Sequence, residues 1–383
     1  MSGGVDSSVA VALLKRAGPA PEQAWYGVNF DVIGVFMKFW SGHKRGELAG
    51  FNRCCSQESE IRARKVAKIL KIPFYVFNFE KEFKKRVVDN FLKEYKVGLT
   101  PNPCVVCNKE IKFGLLLEKA LALGADFMAT GHYARKKENL TFSAGAEKVK
   151  YWLFRGKDKN KDQSYFLWRL NQKQLKHILF PVGNYTKTQV RKLAKKLRLP
   201  VTQTPESQEI CFIPDSIEKF LKKHIKEKPG KIVNKEGEIL GKHQGLWFYT
   251  IGQRKGIGLA GGPYFVLSKD LKRNHLIVTK NEKDLLKKEL LVKNVNWIGA
   301  PSDCSVLDRA QKICALVSGK ELKFPLKIKA KIRYRHEVVP AKIYKIQDTK
   351  YKVVFNQSQR AVTPGQSVVF YKGQELLGGG IIC

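Results

Sequence analysis

An α/β domain built on a parallel sheet, a small and mostly β central domain, and a C-terminal antiparallel β-barrel are what this 383-residue chain predicts. Three observations point there. Residues 1–205 alternate strand-length apolar runs with amphipathic helical stretches, the pattern of strands joined by crossover helices. Near Asp215 the texture changes to short, turn-rich segments. From Val292 onward, runs such as Lys327 to Tyr334 alternate apolar and charged residues, as half-buried antiparallel strands do. A chain this long exceeds one ordinary core, and the expected boundaries are 1–205, 206–287 and 288–383.

The first element is a loop, Ser2-Gly3-Gly4-Val5-Asp6-Ser7-Ser8, followed at once by the helix-compatible run Val9 to Leu14. Two glycines allow a tight turn and close backbone approach, and the serines supply hydroxyl donors. At a helix N-terminus such a loop favours an anion. It lacks the Gly-Lys-Ser/Thr ending of the P-loop. A loop of this kind needs a buried strand before it, and only Met1 precedes it here. The first strand is therefore expected to be missing, through a misassigned start or a fragmentary chain. Pro19 to Phe30 reads as an insertion without a role.

Strands are expected at Asp31 to Met37, Phe74 to Phe79 and Asp126 to Tyr133, and helices at Ser56 to Lys71, Glu80 to Tyr95, Glu110 to Leu123 and Lys187 to Leu199. Ligands in such sheets bind beyond the C-terminal strand ends, which puts Met37 and Gly131 beside the first loop. A short helix, Ser216 to Ile225, precedes β segments that run to about Leu285 and include Gly252-Gln253-Arg254-Lys255-Gly256.

Seventy-one Lys and Arg against 34 Asp and Glu leave a net charge of +37. An excess that large points to a polyanionic partner, for which nucleic acid is the natural choice. Part of it can equally be lysine on solvated helix faces. No apolar run approaches the roughly 20 residues of a membrane span, and no signal-peptide pattern opens the chain, so a cytoplasmic location is expected. The eight cysteines then read as thiols or ligands rather than as a disulfide framework.

The second informative stretch is Thr100-Pro101-Asn102-Pro103-Cys104-Val105-Val106-Cys107-Asn108-Lys109, read as a proline-stiffened loop with a C-x-x-C spacing. About a hundred residues later comes Glu209-Ile210-Cys211-Phe212-Ile213-Pro214. A thiol is a nucleophile only as thiolate, and Lys109, Lys112 or a helix N-terminus can favour that form. On its own the C-x-x-C is equally a redox pair, a metal site or an accident of composition. Cys54-Cys55, Cys304, Cys314 and Cys383 suggest no site.

Alone, SGGVDSS resembles the pyrophosphate loop (PP-loop) of ATP pyrophosphatases. Together with TPNPCVVCNKEIKF, ATGHY, KDQSYFL, LFPVG, EICFIP and VTPGQSVVFY it resembles the bacterial and organellar tRNA-specific 2-thiouridylase family, in the family's order and over nearly the whole chain. The resemblance implies a PP-loop (adenine nucleotide α-hydrolase-like) domain and ATP-dependent sulfur transfer to wobble uridine 34 of tRNA. ATP would adenylate the C2 oxygen of the base, with Mg²⁺ assisting pyrophosphate release, and a cysteine persulfide would then deliver sulfur. It further implies that Cys107 is the nucleophile and Cys211 the persulfide bearer, and that Ser2, Gly3, Gly4, Val5, Asp6, Ser7, Met37 and Gly131 contact ATP. Asn102, Pro103 and Cys104 would face the target base. His132, Lys161, Asp162, Gln163, Arg333, Tyr334 and Gln366 would contact the tRNA, whose anticodon stem-loop the barrel would hold.

One position departs from the family pattern. Many members have aspartate where this chain has Cys104, and a thiol cannot serve as general acid or base in the same way. With Cys107 and Cys211 it makes three thiols, enough to ligate a [4Fe–4S] cluster with one iron open, so a cluster route and a persulfide–disulfide route both stand. A persulfide carrier protein or cysteine desulfurase is the expected sulfur source, and the enzyme is expected to act as a monomer. The rival readings are a different PP-loop adenylating synthetase and a non-catalytic, basic tRNA-binding protein.

Overall fold

The computed structural model describes residues 1–15, 30–40, 56–143, 146–204, 210–213, 215–299, 316–317, 320–321, 323–347 and 350–383. Most of the Pro19 to Phe30 insertion, Cys54-Cys55, Glu209, Pro214, Cys304 and Cys314 lie outside the described residues.

The N-terminal unit begins with helix α1 (Val5–Lys15), whose Val5, Val9, Ala10 and Ala12 are buried. Strand β1 (Gly34–Lys38), helix α2 (Gln57–Ile69) and strand β2 (Phe74–Asn78) follow. Ser56 caps α2, accepting the Ser59 amide at 3.2 Å, which satisfies one of the donors that a helix start leaves over. β1 and β2 pair in parallel with Met37 opposite Phe77. The terminal amine of Met1 donates to the carbonyl of Val35 on β1.

A long helical stretch comes next: α3 (Glu80–Phe83), a π-helical segment at Lys84–Val88, and α4 (Asp89–Lys96). After the turn at Gly98 a second one runs without a break through α5 (Pro103–Cys107), a π-helical segment at Asn108–Leu116 and α6 (Leu117–Ala122). The C-x-x-C therefore lies at the start of a helix, not in the rigid loop expected from its prolines. Pro103 occupies the opening helical position, where its missing N–H costs nothing.

The strand expected over Asp126 to Tyr133 shrinks to β3 (Met128–Ala129), parallel to β6 (Ile178–Leu179). Between these two the chain makes a long hairpin, β4 (Ala134–Ser143) with β5 (Ala146–Arg155), and the short helix α7 (Gln172–Lys176). The unit continues with α8 (Lys187–Lys196), capped by a reciprocal Thr186–Gln189 box.

The central unit holds α9 (Ile217–His224) and a four-stranded sheet of β7 (Gly230–Val233), β8 (Ile239–His243), β9 (Phe265–Asp270) and β10 (His275–Thr279), in the order β8-β7-β10-β9. The C-terminal unit contains β11 (Leu286–Trp297), the short pair β12 (Leu316–Val317) and β13 (Lys320–Glu321), then β14 (Leu326–Lys331), β15 (Val339–Gln347), β16 (Lys350–Arg360), β17 (Ser367–Lys372) and β18 (Glu375–Ile382). Six of these close on themselves as β11-β16-β15-β14-β17-β18, with β18 pairing back to β11. The expected antiparallel barrel is thus present, closed and without an open edge.

The hairpin ties the barrel to the N-terminal unit, because Leu153 and Phe154 of β5 pair with Leu376 and Glu375 of β18. One apolar cluster runs through the junction. It joins Phe91, Cys107 and Trp168 to Phe212 and Phe220 and to Val369, Tyr371 and Leu376 of the barrel. Such a shared core makes the units one packed body rather than beads on a linker.

Candidate active site

The N-terminal loop is folded around the carbonyl of Gly4. That oxygen accepts the hydroxyls of Ser7 (3.2 Å) and Ser8 (2.9 Å) and the amide of Ser8 (3.2 Å). Ser2 closes the turn, its amide 3.1 Å from the Ser7 hydroxyl. Gly3 has φ +68°, and a Cβ there would stand 2.2 Å from the Ser59 carbonyl, so only glycine fits. Gly4 by contrast faces room: a Cβ would meet nothing within 4 Å but the Ser2 hydroxyl at 3.6 Å. Arg62 of α2 donates to the Gly3 carbonyl at 3.2 Å and braces the loop from outside.

Asp6, in the first turn of α1, is held from two sides. The Tyr133 hydroxyl donates to its Oδ1 at 2.7 Å and Lys187 Nζ lies 2.6 Å from the same oxygen. Gly131 presses on this turn, since a Cβ there would be 2.7 Å from the Ser7 amide. Gln163 locks the Tyr133 backbone, accepting its amide through Oε1 at 3.0 Å and donating its own amide to the Tyr133 carbonyl at 2.9 Å. The loop is thus an anion cradle at a helix head: serine hydroxyls, first-turn N–H groups and one ammonium, with a carboxylate placed for a cation. That donor set fits the phosphates of ATP with Mg²⁺.

The thiols come from two places. Asn102 caps α5, its side chain accepting the Val105 amide at 3.4 Å. One turn on, Cys107 is buried, while Cys104 is exposed. Cys211 is half-buried, next to Phe212, whose ring packs edge-on against Phe83 (5.8 Å) and Phe91 (5.4 Å). Cys107, Cys211 and Met37 all lie in or against the same apolar cluster. Among the described residues no three His, Cys, Asp or Glu side chains gather as a metal site. Cys104, Cys107 and Cys211 therefore do not gather as an iron–sulfur site in this arrangement.

His132 stands close by, its Nδ1 2.9 Å from the Thr130 hydroxyl and its ring 5.7 Å from that of Phe113. Burial, aided by Lys112, holds its pKa well below the usual histidine value, so the ring is neutral at pH 7. Asp162 points inward. It accepts Arg155 Nε at 2.8 Å and the amides of Gly156 and Ser164 at 3.1 Å each, with its side chain 1% exposed. Lys161 flanks it, half-buried, at the turn over Asp158.

The barrel meets this site. Gln366 donates to the carbonyls of Thr100 (2.9 Å) and Pro101 (3.2 Å). Arg333 donates to the Ala361 carbonyl and the Thr363 hydroxyl, both at 2.8 Å, and the Tyr334 ring lies 4.5 Å from that of Phe166.

Three family models match successive parts of the chain. A model described as the tRNA methyl transferase HUP domain matches residues 1–215, the tRNA methyl transferase PRC-barrel domain matches 218–280, and the aminomethyltransferase beta-barrel domain matches 287–382. Among curated relatives, the tRNA-specific 2-thiouridylase MnmA 2 of Thermoanaerobacter sp. strain X514 is 45% identical over 387 residues, covering all of this chain and 96% of its own length. The tRNA-specific 2-thiouridylases MnmA of Halothermothrix orenii and Clostridioides difficile strain 630 are 45% and 44% identical over 386 residues, again across the whole chain. The chain belongs to the tRNA-specific 2-thiouridylase family.

Within this family frame, two side chains at the loop escaped the reading of the sequence. Lys187 was visible only as the start of a helix, 181 residues from the Asp6 it pairs with. Tyr133 lies in the ATGHY motif, but nothing in the motif announces that its hydroxyl reaches Asp6. Their signal is tertiary, and only the approach of α8 and of the Tyr133 segment to α1 reveals it.

Proposed function

We propose that this protein is a cytoplasmic, ATP-dependent tRNA sulfurtransferase that makes 2-thiouridine at wobble uridine 34. The observation that supports it most is the anion cradle organised on Asp6, Tyr133 and Lys187, in a chain whose Cys107, Cys211 and Met37 lie in or against one apolar cluster. An adenylating loop and two thiols are what activation followed by sulfur transfer needs.

The C2 oxygen of uridine is a poor leaving group. Its attack on the α-phosphate of ATP forms a C2–O–P bond and expels pyrophosphate, whose growing charge the α1 head and Lys187 stabilise. Mg²⁺ bound at Asp6 would neutralise the same charge. A persulfide on Cys211 then attacks C2 through its outer sulfur, and the C2–O bond breaks to release AMP. Cys107 thiolate attacks the inner sulfur, freeing 2-thiouridine and leaving a Cys107–Cys211 disulfide. An external thiol reduces that bond, and a persulfide carrier protein or cysteine desulfurase reloads Cys211. Neutral His132 and the cap residue Asn102 supply hydrogen bonds beside an extruded base, a geometry that base-modifying enzymes require.

The test is an assay with ATP, tRNA and a persulfide donor. Cys107→Ser and Cys211→Ser each abolish 2-thiouridine while tRNA binding stays within about twofold. Asp6→Ala instead blocks AMP formation. Wild-type thiolation in either cysteine variant removes the thiol mechanism, and anaerobic iron analysis checks the cluster route directly: activity that tracks iron content would favour it.

A further inference from the structure

We propose that the C-terminal barrel sets the position of the nucleophile helix, with Gln366 as the positioning residue acting on Cys107 through the segment Thr100 to Pro103. Two carbonyls of that segment, Thr100 and Pro101, accept the Gln366 amide at 2.9 and 3.2 Å. The Thr100 amide returns a hydrogen bond to the Pro364 carbonyl at 2.9 Å. Gly365, at φ +91°, lets the two backbones touch, for a Cβ there would stand 2.9 Å from the Thr100 nitrogen.

The other contacts of α5 lead to the barrel as well. Asn102, its cap, lies beside Tyr165, whose hydroxyl donates to the Ser367 carbonyl at 2.9 Å. Asn108, just after Cys107, donates to the Phe166 carbonyl at 3.1 Å, and the Phe166 ring is covered by Tyr334. Both ends of α5 thus reach the barrel in at most two steps, and β5–β18 pairing fixes the barrel in turn. A thiol must be held within a fraction of an ångström to react well, so a loosened splint costs rate rather than substrate affinity.

This inference rests on the proposed thiolation, since what is positioned is its nucleophile, but its first test needs no catalysis. Gln366→Glu keeps the shape and removes the donor. In the resting protein, without ATP or tRNA, iodoacetamide labelling of Cys107 followed by peptide mass spectrometry changes by about fivefold or more, the effect of losing hydrogen bonds worth about 1 kcal/mol. The urea-unfolding midpoint stays the same, which excludes global loosening as the cause. In turnover kcat falls about tenfold with KM for tRNA within about twofold. Unchanged Cys107 labelling with raised KM and intact kcat would overturn the proposal and make Gln366 a tRNA contact alone. Altered labelling with no thiolation in the wild type would sink the proposed function and leave the positioning role standing. Should Gln366→Glu not fold, Gln366→Met, of similar length and without hydrogen bonds, carries the same readouts.

Discussion

At the scale of single residues, Asp6 decides how the loop works. Two donors converge on one of its carboxylate oxygens, Tyr133 at 2.7 Å and Lys187 at 2.6 Å. Lys187 is only 12% exposed, so removing the ammonium costs more than at a surface ion pair and leaves a part-buried carboxylate with Tyr133 alone of these two donors. Lys187→Ala is expected to cut AMP formation by tenfold or more, about 1.4 kcal/mol or above in the barrier. Tyr133→Phe removes one neutral donor and costs about 1 kcal/mol or less, so its effect is the smaller. A pyrophosphate-release assay with saturating tRNA ranks the two, and equal losses would mean that the ammonium does nothing beyond holding Asp6. The residue types at this loop were legible in the sequence because glycine and serine at a helix head have few other uses. Their partners were not, because a Lys or Tyr far along the chain gives no local sign of where it ends.

Among elements, α5 is the instructive case. Two prolines in four residues suggested a stiff loop, yet Asn102-Pro103 is also a helix start: a cap residue followed by the one residue that needs no N–H. The same residues serve both patterns, and the continuous apolar face from Val105 through Ile111 to Leu116 decides for the helix. Replacing the cap tests this. Asn102→Ala leaves the Val105 amide without its acceptor at a cost of about 1 kcal/mol, so that amide exchanges about fivefold faster by hydrogen-exchange mass spectrometry, with α4 unchanged. The β4–β5 hairpin went unread for a different reason. Arg135, Lys136, Lys137 and Glu138 blur any alternation, and strand pairing there is supported by neighbours such as Tyr151, over which Lys136 lies at 4.9 Å. The barrel strands were readable because their inward residues, among them Ile328, Ala330, Ile343 and Val353, alternate cleanly with lysines.

Across the whole molecule the three units are joined at buried seams, and one of these contains a lysine that should make stability depend on pH. Lys269, on β9 of the central unit, donates to the Gly98 carbonyl of the N-terminal unit at 3.1 Å, and Leu271 beside it covers Gly98. Burial lowers the Lys269 pKa to about 8, against 10.5 for the unburied side chain. Below pH 8 both folded and unfolded chains carry the charge, and the fold bears its full desolvation cost, at most about 3 kcal/mol. Between about 8 and 10.5 the unfolded chain binds the proton more strongly, so stability rises with pH across that window. Above it both forms are neutral and the cost is gone. Other lysines titrate there too, so the difference between two proteins is the quantity to measure. Urea unfolding midpoints of the wild type and Lys269→Met at pH 7.5 and 10 should diverge at the lower pH, where the variant lacks the buried charge, and converge at the higher. Parallel curves would mean that the seam opens to water around Lys269 and that the central unit is docked by Leu271 and its apolar neighbours alone.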